Sequence, residues 1–163
     1  MLDKNLYGWL GSGGYSLIST AGDDVATWST FTPTVTLTGG TGNATPVYTT
    51  NTGRYATVGK LVIVDVYLTG DGGTEGAGTG LINIALPLTA GASQPTGPFP
   101  VGAGRDGSFP GAANFLLFGQ IAASATVITL YILNPITTTV NFTGADQATT
   151  SRTIRLKFAY EID

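Results

Sequence analysis

Histidine and cysteine are both absent from the 163 residues. Their absence removes the commonest general base, the thiol nucleophile, disulfides and most zinc ligands. Charge is scarce as well. Only 10% of residues are Asp, Glu, Lys or Arg, against about 25% in typical soluble domains. The net charge is −3 and the seven cations form no run, so a nucleic-acid partner has no electrostatic footprint. No apolar stretch approaches the roughly 20 residues of a membrane helix, and no membrane partner is expected. Gly8, Gly11, Gly13 and Gly14 break up the apolar N-terminus, which therefore does not read as a secretion signal.

Glycine and threonine fill the space, with 24 and 27 residues. Threonine suits the pleated strand and glycine supplies sharp corners. Residues 30 to 38 show this most clearly. Thr30, Thr32, Thr34, Thr36 and Thr38 alternate with Phe31, Pro33, Val35 and Leu37, as in a strand with two unlike faces. Pro33 cannot donate to a ladder, so the segment begins a sheet or lies at its edge.

Further strands are expected along the chain. Short ones flank Asn51-Thr52-Gly53, and Val58-Gly59-Lys60 reads as a tight turn. Leu61–Leu68 places Val62, Val64, Val66 and Leu68 on one face and Leu61, Ile63, Asp65 and Tyr67 on the other. Leu81–Leu86 stops at Pro87. Residues 69–80 and 87–113 read as long Gly- and Pro-rich excursions, the second with a short strand near Phe99–Val101. Asn114–Ile121 is apolar on both faces: Phe115 and Leu117 on one, Leu116 and Phe118 on the other. Thr126–Leu133 and Ile136–Phe142 follow. Thr153–Ile162 turns Ile154, Leu156, Phe158, Tyr160 and Ile162 inward and Arg155, Lys157 and Glu161 outward. Eight to ten strands and no helix predict an all-β fold, an antiparallel two-sheet, jelly-roll-like sandwich over residues 26–163.

Residues 1–25 differ from the rest. They show no sustained period, and they predict an extended N-terminal docking arm with Leu6, Tyr7, Trp9, Leu10, Tyr15 and Leu17 as its contact residues. Fully extended, such a segment reaches about 80 Å. A surface this poor in charge is suited to being covered. Phe115, Leu117, Asp65 and Tyr67 are the expected subunit interface.

For chemistry, only carboxylates remain: Asp65, Asp71, Glu75, Asp106 and Asp146. Most sit in glycine-rich turns. Asp65 lies mid-strand, where Arg54 or a neighbouring chain is its expected partner. No enzyme activity, metal or cofactor is expected.

Two motifs carry a resemblance. Trp28-Ser29-Thr30-Phe31-Thr32-Pro33 is followed, after a glycine-rich loop, by Gly53-Arg54-Tyr55-Ala56-Thr57-Val58-Gly59-Lys60-Leu61-Val62, and a later strand closes in Ala85-Leu86-Pro87. This pattern resembles a module of tailed-bacteriophage virion proteins, found on capsid surfaces, head fibres, tail fibres and tail tips. It covers about residues 28–87 and is thin beyond. It implies a trimeric β-sandwich, a structural role in the virion, and no catalytic residue. The expected function is a capsid decoration or cement subunit, a homotrimer docked on the major capsid protein or another virion protein. The alternative is a receptor-binding tail-fibre tip or head-fibre module that recognises host glycan or protein through Phe99, Arg105 and Phe109.

Overall fold

A computed structural model describes residues 6–10, 14–19, 27–43, 46–70, 78–106, 114–133, 139–141 and 152–163. They contain no helix. They form twelve strands: β1 (Leu6–Leu10), β2 (Gly14–Ser19), β3 (Ser29–Phe31), β4 (Val35–Thr38), β5 (Thr50–Val58), β6 (Leu61–Gly70), β7 (Leu81–Ala85), β8 (Phe99–Asp106), β9 (Asn114–Gln120), β10 (Val127–Leu133), β11 (Thr139–Asn141) and β12 (Arg152–Glu161).

All pairings are antiparallel. Nine strands form one unbroken path in the order β3-β5-β6-β12-β8-β9-β10-β7-β4, and β11 pairs with β10. The first and last strands of that path belong to the same stretch of chain. Only residues 32–34 separate β3 from β4, so the two ends of the sheet lie within about 14 Å of each other. The sheet must therefore curl on itself like a half-barrel. The hydrogen-bond ladder is continuous where two separate sheets were expected. The bridge is β8, which pairs with β12 on one side and β9 on the other.

The alternation in β6 and β12 supplies the core. Val62, Val64, Val66 and Leu68 point inward beside Ile154, Leu156, Phe158 and Tyr160, and all eight are buried. Each contributes about 1.5–3 kcal/mol by leaving water, before the cost of ordering. Val35, Ile82, Ile84, Val101, Leu117, Ile128 and Leu130 complete the same cluster from the other strands. Outside the core, Asn83 clips three strands together. Its amide donates to Thr38 Oγ1 and accepts from Thr129 Oγ1 at 2.6 Å.

Several local expectations change. Residues 51–53 do not turn; they lie within β5. Gly53 is there because Phe31, its register partner, lays its ring where a side chain would stand: a Cβ would be 2.5 Å from Phe31 Cε1. The expected short strand at Phe99–Val101 extends to Asp106. Glycine in it reflects crowding rather than a loop, since a Cβ at Gly102 would lie 2.0 Å from the Arg155 carbonyl oxygen. Leu6–Leu10 pairs antiparallel with Gly14–Ser19, β1 with β2, where an extended arm was expected. The turn at Gly59-Lys60 forms as expected, with Gly59 at φ 57°, the positive φ that a two-residue hairpin needs.

One end of the roll is tied down by residues 86–94. Ala90 N–H donates to Ala125 O at 2.9 Å and Gly91 N–H to Glu161 O at 2.8 Å. The Tyr160 hydroxyl donates to Leu88 O at 2.7 Å and accepts from Leu88 N–H at 3.2 Å. Burial pushes the Tyr160 phenol from 10.0 up to about 12, its hydrogen bond to Leu88 opposing the shift and Tyr55 adding a little to it.

Two predictions follow from this packing. Gly102→Ala presses on backbone and Gly53→Ala on one ring, and overpacking of this kind costs about 1–3 kcal/mol or more. Urea unfolding should place Gly102→Ala as the more damaging of the two. Tyr160 keeps its proton to higher pH when folded than when unfolded. Its contribution to stability is thus whole below pH 10.0 and is lost as pH rises toward about 12. Tyr160→Phe should be less stable than the wild type at neutral pH but lose less stability across that alkaline window.

Candidate functional site

The inward faces of the strands are spent on the core, so function falls to the outward faces. The threonine series settles its own question. Thr30, Thr32, Thr34, Thr36 and Thr38 are all exposed, while Pro33 and Val35 are buried and Phe31 and Leu37 partly so. The threonines form a charge-free ridge along the two terminal strands.

The second outward feature is apolar. In β9 Leu117 is fully buried, so its neighbours Leu116 and Phe118 face out. Leu116 is 57% exposed. It pairs with exposed Ala103 of β8, and Phe118 pairs with Tyr131 of β10. Tyr131 donates its hydroxyl to Gln120 Oε1 at 3.0 Å. The expected interface residue Leu117 is corrected here: it belongs to the core, and Leu116 on the opposite face is the surface residue. Phe115 lies in β9 opposite Gly104.

The third feature is a shallow cleft of about 480 Å³ on the outer face of β3, β5, β6 and β12. Register builds it. Thr30, Arg54 and Asp65 stand opposite one another across three strands, with Lys157 next in line. Thr52, Tyr67 and Arg155 make the parallel row, with Ala103 beyond. Arg54 Nη2 donates to Asp65 Oδ2 at 2.9 Å, and Arg54 Nε donates to the same oxygen at 3.3 Å. The Arg54 guanidinium also lies 4.6 Å from the centroid of the Trp28 ring, a cation–π contact. Asp65 thus has the partner expected for it. Its side chain is only 12% exposed, and that of Arg54 53%. Tyr67 is 42% exposed and Trp28 41%.

Other expected site residues fall elsewhere. Phe99 opens β8, half-buried against the core, and Arg105 pairs with Thr153 and Asn114 inside the sheet; both are strand residues rather than loop residues. Phe109 lies outside the described residues. Leu6, Tyr7, Trp9, Leu10, Tyr15 and Leu17 all lie in the β1–β2 hairpin. Among the described residues no cluster of three acidic side chains could hold a metal. The cleft residues Thr30, Thr52 and Arg155, and Trp28 beside Arg54, were not expected as site residues from sequence. The outward phase of Arg155 in the last strand was the one signal available for them.

No protein-family model, curated protein or solved structure matches the chain.

The Arg54–Asp65 pair orients the cleft more than it stabilises the fold. Because the Arg54 side chain is half exposed, a double-mutant cycle with Arg54→Ala and Asp65→Ala should give a coupling of about 1 kcal/mol, and added salt should shrink it.

Proposed function

We propose that the protein is a structural component of a tailed-phage virion, a non-enzymatic decoration subunit that trimerises and binds the capsid surface. The observation that carries this reading is the outward face of β8–β10. Ala103, Leu116, Phe118 and Tyr131 leave uncharged, partly apolar sheet toward solvent. A rigid sheet presents such a surface at low entropic cost to another subunit. The exposed threonine ridge beside Pro33 offers further charge-free contact, with hydroxyls that can pair across it. Both motifs of the phage resemblance fall on elements that shape the roll. The Trp28–Pro33 motif leads through β3 to the point where the sheet's ends meet. The Gly53–Val62 motif is the β5–β6 hairpin. That resemblance implies a trimeric β-sandwich; the curled single sheet shares its antiparallel all-β character. The paired strands β1 and β2 would serve as the docking element toward a neighbouring shell subunit, with their aromatics as the anchors.

Light scattering of the purified chain should give the mass of a trimer, and electron microscopy should locate it in threefold clusters on the capsid. Leu116→Lys places a charge on a side chain that is exposed in the single subunit. It should release monomers, with a melting temperature changed by no more than a few degrees, and strip the protein from particles. A stable monomer at high concentration, or a location on the tail, overturns the reading.

A further inference from the structure

The cleft on the outer face of β3, β5, β6 and β12 carries a separate function, which does not depend on where in a virion the protein sits. We propose that it is a binding site for carboxylated saccharides. Three observations converge on this ligand class.

The first is charge. The chain as a whole is −3, yet this face gathers Arg54, Arg155 and Lys157 around Asp65, with Glu161 the outward carboxylate at the far end of β12. Asp65 is already engaged by Arg54. Among the described residues, Arg155 has no acidic partner although it lines the cleft. A free guanidinium in a concave site is suited to a planar carboxylate, which it can grip through two parallel N–H donors.

The second is preorganisation. Arg54 is held on one side by Asp65 and on another by the Trp28 ring. Its remaining N–H donors are therefore fixed in direction. The Thr30 and Thr52 hydroxyls line the same cleft, and each can donate and accept. Short hydroxyls and a fixed guanidinium suit a ligand rich in hydroxyl groups.

The third is the aromatic wall. Tyr67 stands directly opposite Arg155 on the neighbouring strand and is 42% exposed. Its ring offers an apolar face beside a polar rim, the combination on which the C–H face of a sugar packs. An inorganic anion would have no use for this ring, and a neutral sugar would have none for the excess of cations.

Calorimetry of the full chain tests the idea with three probes: a galacturonate trimer, a hyaluronan tetrasaccharide and a sialic acid dimer. Each is compared with its methyl ester, and hexaglutamate serves as an acidic polypeptide. At least one saccharide should bind, and its neutral ester should bind at least about tenfold more weakly, the scale of one charge-assisted contact. Arg155→Gln should weaken the acid at least about tenfold while leaving the ester unchanged. Tyr67→Ala should weaken acid and ester together. Lys60→Gln, at the β5–β6 turn and outside the cleft, should change neither. Thermal melting of each variant reports that it is folded. Three results overturn the proposal: no binding by any of the saccharides, acid binding that ignores Arg155, or hexaglutamate binding as tightly as the best saccharide. The last would assign the face to an acidic protein segment. Loss of the trimer or of capsid binding is read separately by light scattering and microscopy, so the two readings fail independently.

Discussion

The fold depends on one short constraint: residues 29–38 supply both ends of the sheet. β3 pairs with β5, and β4 pairs with β7. Seven strands lie between β3 and β4 in the sheet, but only Thr32-Pro33-Thr34 lie between them in the chain. Proline is the residue suited to that junction. It has no N–H to leave unpaired, and its fixed φ helps redirect the chain. Its carbonyl accepts from Asn51 Nδ2 at 2.6 Å, and the Thr34 carbonyl accepts from Ala85 N–H at 2.8 Å. The junction is thus tied to both flanks of the sheet. An open nine-stranded sheet would present two distant edges and an uncovered inner face. Joining the edges covers the inner face and leaves short terminal strands of three and four residues.

Curling the sheet divides the molecule into an inside of aliphatic and aromatic side chains and an outside that carries what little chemistry the sequence owns. Because side chains alternate, the strands that build the core also fix the outward rows. Val64 and Val66 point inward on either side of Asp65; Ile154 and Leu156 do so on either side of Arg155. The cleft therefore inherits its rigidity from the core. Arg54 and Arg155 are 101 positions apart in the chain, yet β6 alone separates their strands.

How much of this was legible from sequence varies from strand to strand. The threonine ladder, β6 and β12 could be phased because each carries one apolar and one more polar face. Asn114–Ile121 could not be phased, since Leu116 and Leu117 are equally apolar. Only its pairing with β8 and β10 shows that Leu117 is inside. Glycine was an uneven guide. At Gly59 it marks a real turn, but at Gly53 and Gly102 it sits mid-strand because another part of the chain occupies the place of its side chain. Close approach between distant segments leaves no local mark. The cleft was invisible for the same reason: its parts come from residues 28–67 and from 155, and only register unites them.

The poverty of charge then takes on a specific meaning. In most domains scattered ion pairs keep the surface wetted and separate. Here exposed threonines cover the terminal strands and uncharged residues the β8–β10 face, while Arg54, Arg155 and Lys157 lie together near Asp65. Segregation of this kind costs some self-repulsion among Arg54, Arg155 and Lys157, which Asp65 only partly offsets. Folding gains nothing from that repulsion, since exposed pairs stabilise little. A second, anionic group is what would relieve it. On the proposed reading, the uncharged surface and the concentrated cationic one beside it would serve two different contacts, one through shape and one through charge.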